Sequence, residues 1–169
     1  MTGHNPTDRS KLGTKRHILT DKEGIPLSTV ITSANTHDVT TAIETVDSIV
    51  IKRPSSKSAT KYRNNNDNDK NKNKNKKKNQ NLCLDKAYHS KNIEQEITKR
   101  GYIPHIQHRR EEKKHNNRHP TRRWVVERTN SWHNRFRKLF TRYEKKDKNY
   151  LGLVQLANSI IIYRKMILG

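Results

Sequence analysis

Apolar residues along this chain gather in short runs separated by long polar and basic stretches, and the spacing within each run predicts its element. His17 to Leu19 and Leu27 to Thr32 read as two strands joined at Asp21-Lys22-Glu23-Gly24, a connection long enough for a hairpin. Ile25-Pro26 enters the second strand, and proline in that position points to a sheet edge. From His37 to Val50 a helix is expected, with Val39, Ala42, Ile43, Val46 and Val50 at helical spacing and Thr36 as its cap. Leu82 to Leu84 reads as a strand, Asn92 to Arg100 as a helix ended by Gly101, and Tyr102 to Ile106 as another strand. The last helix, from about Tyr150 to Leu168, is the most hydrophobic segment. Gln155, Asn158, Ser159, Arg164 and Lys165 interrupt it, which favours a helix laid against a sheet over a membrane span.

The longest amphipathic segment carries Arg122-Arg123-Trp124-Val125-Val126-Glu127-Arg128 and continues past Trp132. On one continuous helix, Arg123, Glu127, Ser131, Asn134 and Lys138 share a face, because positions four and seven apart nearly superimpose. Val125, Trp132, Phe136, Leu139 and Tyr143 then form the buried stripe opposite. Glu127 thus points outward from a basic polar face. Two readings stand: a surface carboxylate pairing with Arg123 or Arg128, or a metal-binding carboxylate among cations that hold a phosphate backbone. Asp85 is the second such residue. It ends the apolar run Leu82-Cys83-Leu84 and is followed by turn-forming residues, so it either organises the turn or sits at a strand end, where open α/β sheets build ligand sites.

Charge narrows the partner. The chain has 169 residues and a formal net charge of +21, an excess that favours polyanions and makes their binding depend steeply on salt. Residues 52–80 hold much of that charge in an Asn/Lys-rich run with little to bury, read as a disordered insertion between residues 1–51 and 81–169. His105, His108, His115 and His119 invite a zinc reading, but cysteine ligands are missing beside them, and a solvated basic loop from Gln107 to Pro120 is expected instead. The single cysteine, Cys83, cannot form an internal disulfide, and Met1 to Arg16 lacks the apolar core of a signal peptide. A cytoplasmic protein is expected, bacterial in type and associated with the nucleoid.

Four stretches, "NLCLDKAYHS", "KRGYIPHI", "RRWVVERTNSWHNRFRKLFTRYEKK" and "NYLGLVQLANSIIIYRKMI", resemble in order the C-terminal half of DDE transposases of the insertion sequence 5 type. Upstream, "NPTDRSKLGTKRHILTDKEGIPLSTVITSANTHD" is similar to the segment after those enzymes' first catalytic strand. The resemblance implies that Asp85 is the second acid of the triad and Glu127 the third, with Arg123 as the arginine of the RxxxE motif. It implies Mg²⁺ (or Mn²⁺) held by Asp85 and Glu127, and contacts to DNA from Arg123, Lys86, Asn134 and Lys138. It also implies an α/β fold, a ribonuclease-H-like mixed sheet flanked by helices. No residue of the sequence occupies the place of the first acid. Asp8 and Asp21 belong to the motif downstream of it and to the following turn, and Asp38 to the "ANTHD" motif. The expectation is therefore an N-terminally truncated transposase that binds double-stranded DNA at transposon ends but is inactive alone. Its protein partner would be a second copy or the product of an upstream reading frame. A noncatalytic DNA-binding remnant and a ribonuclease-H-like nuclease with a replacement acid are the alternatives.

Overall fold

A computed structural model describes residues 2–6, 8–51, 80–106 and 123–169 of the chain, Arg123 by its backbone only. Three antiparallel strands come first: β1 (Gly3–His4), β2 (Leu12–Thr20) and β3 (Pro26–Ser33), in the order β1-β2-β3. The predicted hairpin is present, and its register sets Thr14 opposite Ser33 and His17 opposite Val30, with an irregularity at Leu19/Thr20 where Pro26 begins the edge strand. α1 (Asp38–Asp47) follows, then β4 (Gln80–Leu84), a 3₁₀ turn at Lys86–Tyr88, α2 (Lys91–Lys99) and β5 (Tyr102–Ile106). β4 and β5 pair in parallel, Gln80 beside Tyr102 and Leu84 beside Ile106. α3 (Arg123–Asn134), α4 (Arg137–Phe140) and α5 (Asp147–Met166) complete the chain.

Strand alternation sorts β2 and β3 into two faces. Toward α1 point His17 and Leu19 from β2 and Ser28, Val30 and Thr32 from β3; Ser28 Oγ donates to the Thr45 carbonyl at 2.6 Å. Toward α3 and α5 point Arg16 and Ile31, the latter against the cluster of Leu139, Tyr150, Val154 and Ala157. A second cluster, Ala42, Val46, Leu82, Ile93, Ile97 and Tyr102, joins α1 and α2 to the parallel pair. Burial of this apolar surface is the main force holding the layers together.

Several expectations are corrected. The N-terminal 51 residues hold three strands, not two, because Gly3–His4 pairs with Leu12–Gly13. β4 starts at Gln80, inside the segment assigned to the insertion; residues 52–79 lie outside the described residues. α1 is preceded by His37, whose side chain makes no capping bond, while the Thr36 hydroxyl is engaged with Ser33 Oγ at 2.8 Å. The continuous helix through Tyr143 is broken. Arg135 N donates to the Trp132 carbonyl and Phe136 N to that of His133, and Phe136 takes an extended backbone (φ −86°, ψ 105°) that ends α3 and starts α4. Between α4 and α5 the chain is not helical, so Tyr143 leaves the predicted stripe and is 76% exposed. Arg142 turns inward in its stead, stacked 5.0 Å from the Tyr150 ring centre and donating to Asp147 Oδ1 at 2.7 Å. The expected single mixed sheet is two sheets among the described residues, since no described strand bridges β2 and β4. The mixed α/β class stands.

Candidate nucleic-acid and metal site

Asp85 follows the last residue of β4 and caps the 3₁₀ turn: its Oδ1 accepts from the Lys86 amide at 2.6 Å, and its carbonyl accepts from the Tyr88 amide at 2.9 Å. The turn-organising role is real, and the carboxylate remains exposed. Lys86 is half-buried in the same turn. Tyr88 lies against the core of α1, α2 and β4, and burial pushes its hydroxyl up to about 12, with the carboxylates of Asp38 and Asp85 adding to the shift. Both aspartates therefore act on one phenol from two elements, the start of α1 and the end of β4.

The other candidate acids are committed to structure. Asp21 Oδ1 accepts from the amides of Glu23 at 2.9 Å and Ile25 at 2.8 Å, which shapes the β2–β3 turn. Asp38 Oδ1 receives the Lys15 ammonium at 2.9 Å, and Lys15 also donates to the Thr36 carbonyl at 2.9 Å. His17, buried beneath Asp38, has Nε2 2.8 Å from Thr32 Oγ and Nδ1 3.2 Å from Thr41 Oγ. Burial holds its pKa below the usual histidine value, and Asp38 opposes that effect only in part.

Glu127 is exposed on the outward face of α3, as its spacing from buried Val125 requires. Ser131 and Asn134 share that face; Asn134 Oδ1 also accepts from Arg16 at 3.2 Å, which ties the end of α3 to β2. Arg123 opens the helix. Lys138 is exposed on α4, beyond the break, so helical periodicity no longer aligns it with Glu127. Arg128, a proposed partner of Glu127, lies over the Trp124 ring at 4.3 Å from its centre.

The inward face of α3 carries what the sequence reading missed. Thr129 and His133 are fully buried, one helical turn apart in line with Val125. Thr129 Oγ donates to the Gly24 carbonyl at 2.6 Å. His133 Nε2 meets Asn158 Oδ1 at 2.6 Å, and Asn158 Nδ2 donates to Thr29 Oγ at 3.0 Å, so one polar chain joins α3, α5 and β3. Burial lowers the His133 pKa despite the Asn158 bond. The i, i+4 continuation from Val125 was the available signal, because a buried helix face admits polar residues whose hydrogen bonds are satisfied.

The described residues hold no group of three or more His, Cys, Asp or Glu side chains able to share a metal ion. Among the zinc candidates, His105 has Nε2 2.9 Å from Asn81 Oδ1; His108, His115 and His119 lie outside the described residues. Cys83 is free and exposed. No described helix is long and apolar enough to cross a membrane.

A strand-end aspartate, an outward glutamate on α3 and a large cationic excess suit a protein that acts on DNA. The family described as the transposase DDE domain matches residues 2–162, and the chain belongs to that family. Over 170 residues it is 31% identical to a protein of Burkholderia cepacia named as a transposase for insertion sequence element IS402, an alignment covering 98% of this chain and 70% of that relative. No solved structure matches the chain.

Proposed function

We propose that this chain supplies the second and third acids, Asp85 and Glu127, of a transposase centre for metal-dependent DNA cleavage and strand transfer. The observation that carries the reading is their display: both carboxylates are exposed, one at a strand end and one on the outward face of α3, in a member of the DDE family. Oxygen donors suit a hard cation such as Mg²⁺ or Mn²⁺. The described residues do not complete a ligand set, so no catalytic step is assigned to the chain alone. Asp21 and Asp38, engaged by the turn amides and by Lys15, make poor replacements for a first acid, which weighs against a stand-alone nuclease.

The split sheet supports the same reading. Among the described residues, β2 from Lys15 onward pairs along one edge only, and β4 pairs only with β5. One further strand between β2 and β4 would unite the two sheets into a single ribonuclease-H-like mixed sheet and would satisfy both edges. That strand, with its acid, is the element that the proposed centre still requires. By itself the chain binds duplex DNA through Arg123, Lys86, Lys138 and the rest of its cationic surface, and competes for DNA ends without cutting them.

The test is complementation. The purified chain is mixed with a polypeptide carrying the family's first-acid strand, a fluorescent duplex and Mn²⁺. Cleavage that needs both components, and that Asp85→Ala or Glu127→Ala abolishes, is the expected result. Cleavage that survives both substitutions would overturn the assignment of the acids.

A further inference from the structure

We infer that the groove between α4 and α5 receives an amphipathic helix of another protein, one whose apolar seam is flanked by carboxylates. Two apolar stripes run along α5. Tyr150, Val154, Ala157 and Ile161 form the first and are buried in the fold. Leu153, Leu156, Ile160, Tyr163 and Ile167 form the second, at alternating spacings of three and four residues, the period of a seam between paired helices. On it, Leu156, Tyr163 and Ile167 are 58%, 54% and 68% exposed. A helix apolar on this much of its circumference is one that packs on more than one side.

Phe136 and Leu139 supply the facing wall, and with Leu153, Leu156, Ala157 and Ile160 they line a groove of about 220 Å³. The interruption at Phe136 forms this wall: α4 restarts there, Leu139 is buried, and its carbonyl accepts from the Tyr150 hydroxyl at 3.2 Å. Sites for drug-sized ligands begin at roughly 300 Å³, so this groove suits one or two apolar side chains carried on a helix. Its apolar walls offer no donor to a phosphate backbone, which sets a protein over DNA as the occupant. Charge then selects the protein. Arg137 and Lys138 also line the groove and are exposed, as is Arg164 further along α5. No acidic residue occurs in Arg137–Phe140 or from Lys148 to Gly169. Two copies of this face would therefore bring cations together, whereas carboxylates beside a partner's apolar seam would meet Arg137 and Lys138.

The experiment uses the full chain and three fluorescein-labelled peptides, each of about 20 residues so that a helix can form. One carries leucines at the a and d positions of a heptad with glutamates beside them. The second is its scramble, and the third has lysines in place of the glutamates. Anisotropy is followed at physiological salt. The first peptide is expected to bind at least about ten-fold more tightly than either of the others, and Leu156→Glu should remove that preference. Leu156→Met should keep it, which excludes a folding defect as the cause. Arg137→Glu combined with Lys138→Glu should transfer the preference to the lysine peptide. Equal binding of the first peptide and its scramble would show only the cationic excess at work and would overturn the groove, as would binding of none. Equal binding of the glutamate and lysine peptides overturns the acidic partner. Self-association in sedimentation that Leu156→Glu abolishes overturns it in favour of a second copy.

Discussion

The Thr129 hydroxyl donates to the carbonyl oxygen of Gly24 at 2.6 Å, across 105 residues of sequence. Gly24 has φ of +84°, a conformation open to glycine at little cost, and a Cβ there would meet Thr129 Oγ at 3.2 Å. The bond fixes α3 on the turn between β2 and β3 and thereby fixes the direction in which Glu127 points. Thr129→Val keeps the shape and removes the donor, and should cost about 1–3 kcal/mol because the buried carbonyl loses its partner. Gly24→Ala should destabilise by about 1 kcal/mol or more through backbone strain. Urea unfolding of the two variants checks both figures.

Acid should weaken the fold first through two buried histidines. His17 and His133 both have pKa values below their ordinary 6.5, with burial as the leading cause. Above pH 6.5 both are neutral folded and unfolded, and neither costs stability. Below it the unfolded chain takes up protons that the folded chain refuses, so stability falls until the folded values are passed. Asp47 and Glu96, paired with Arg100, are lowered from 3.8 and 4.5 and act only at still lower pH. Melting temperatures at pH 8, 7, 6 and 5 should decline from just below pH 6.5, and His133→Gln should flatten the slope. A flat profile in the parent chain would show that these histidines do not govern it.

Removal of residues 64–78 should leave the fold standing. The sequence there is entirely Asn, Lys and Asp, which offers no apolar side chain to a core. The deletion must stop short of Gln80, which pairs with Tyr102 at the start of β4. Circular dichroism per folded residue and the melting temperature should stay close to those of the parent. Loss of cooperative unfolding would give the segment a structural role.

What was legible in the sequence followed from burial period. Tyr102–Ile106 agrees with its strand, and the outward direction of Glu127 followed from Val125 opposite it. The first half of β2 was not legible, because Lys15 and Arg16 look like loop residues until Asp38 and Asn134 are seen to receive them from separate elements. The break at Phe136 escaped for the converse reason: Phe136 and Leu139 keep helical spacing, and both pack on α5 although the helix between Asn134 and Arg137 is interrupted. The site was legible as residue types; the commitment of Asp21 and Asp38 was not, because it depends on turn geometry and on Lys15, 23 residues from Asp38.

That commitment sets the last expectation, on activity. Purified chain should bind duplex DNA with weak sequence preference, and its affinity should fall steeply with salt as phosphate contacts release counterions. Lys138→Ala should weaken binding alike on all sequences and lower the salt slope by about one. With Mg²⁺ or Mn²⁺ alone the chain should neither cut DNA nor join strands, since a two-metal centre needs more carboxylate oxygen than Asp85 and Glu127 provide. Cutting that Asp85→Ala or Glu127→Ala abolishes would mean that another acid is recruited. Asp38→Asn and Asp21→Asn then decide between the candidates. Asp38 is tested first, because its carboxylate is held by one Lys15 ion pair where that of Asp21 is held by two turn amides.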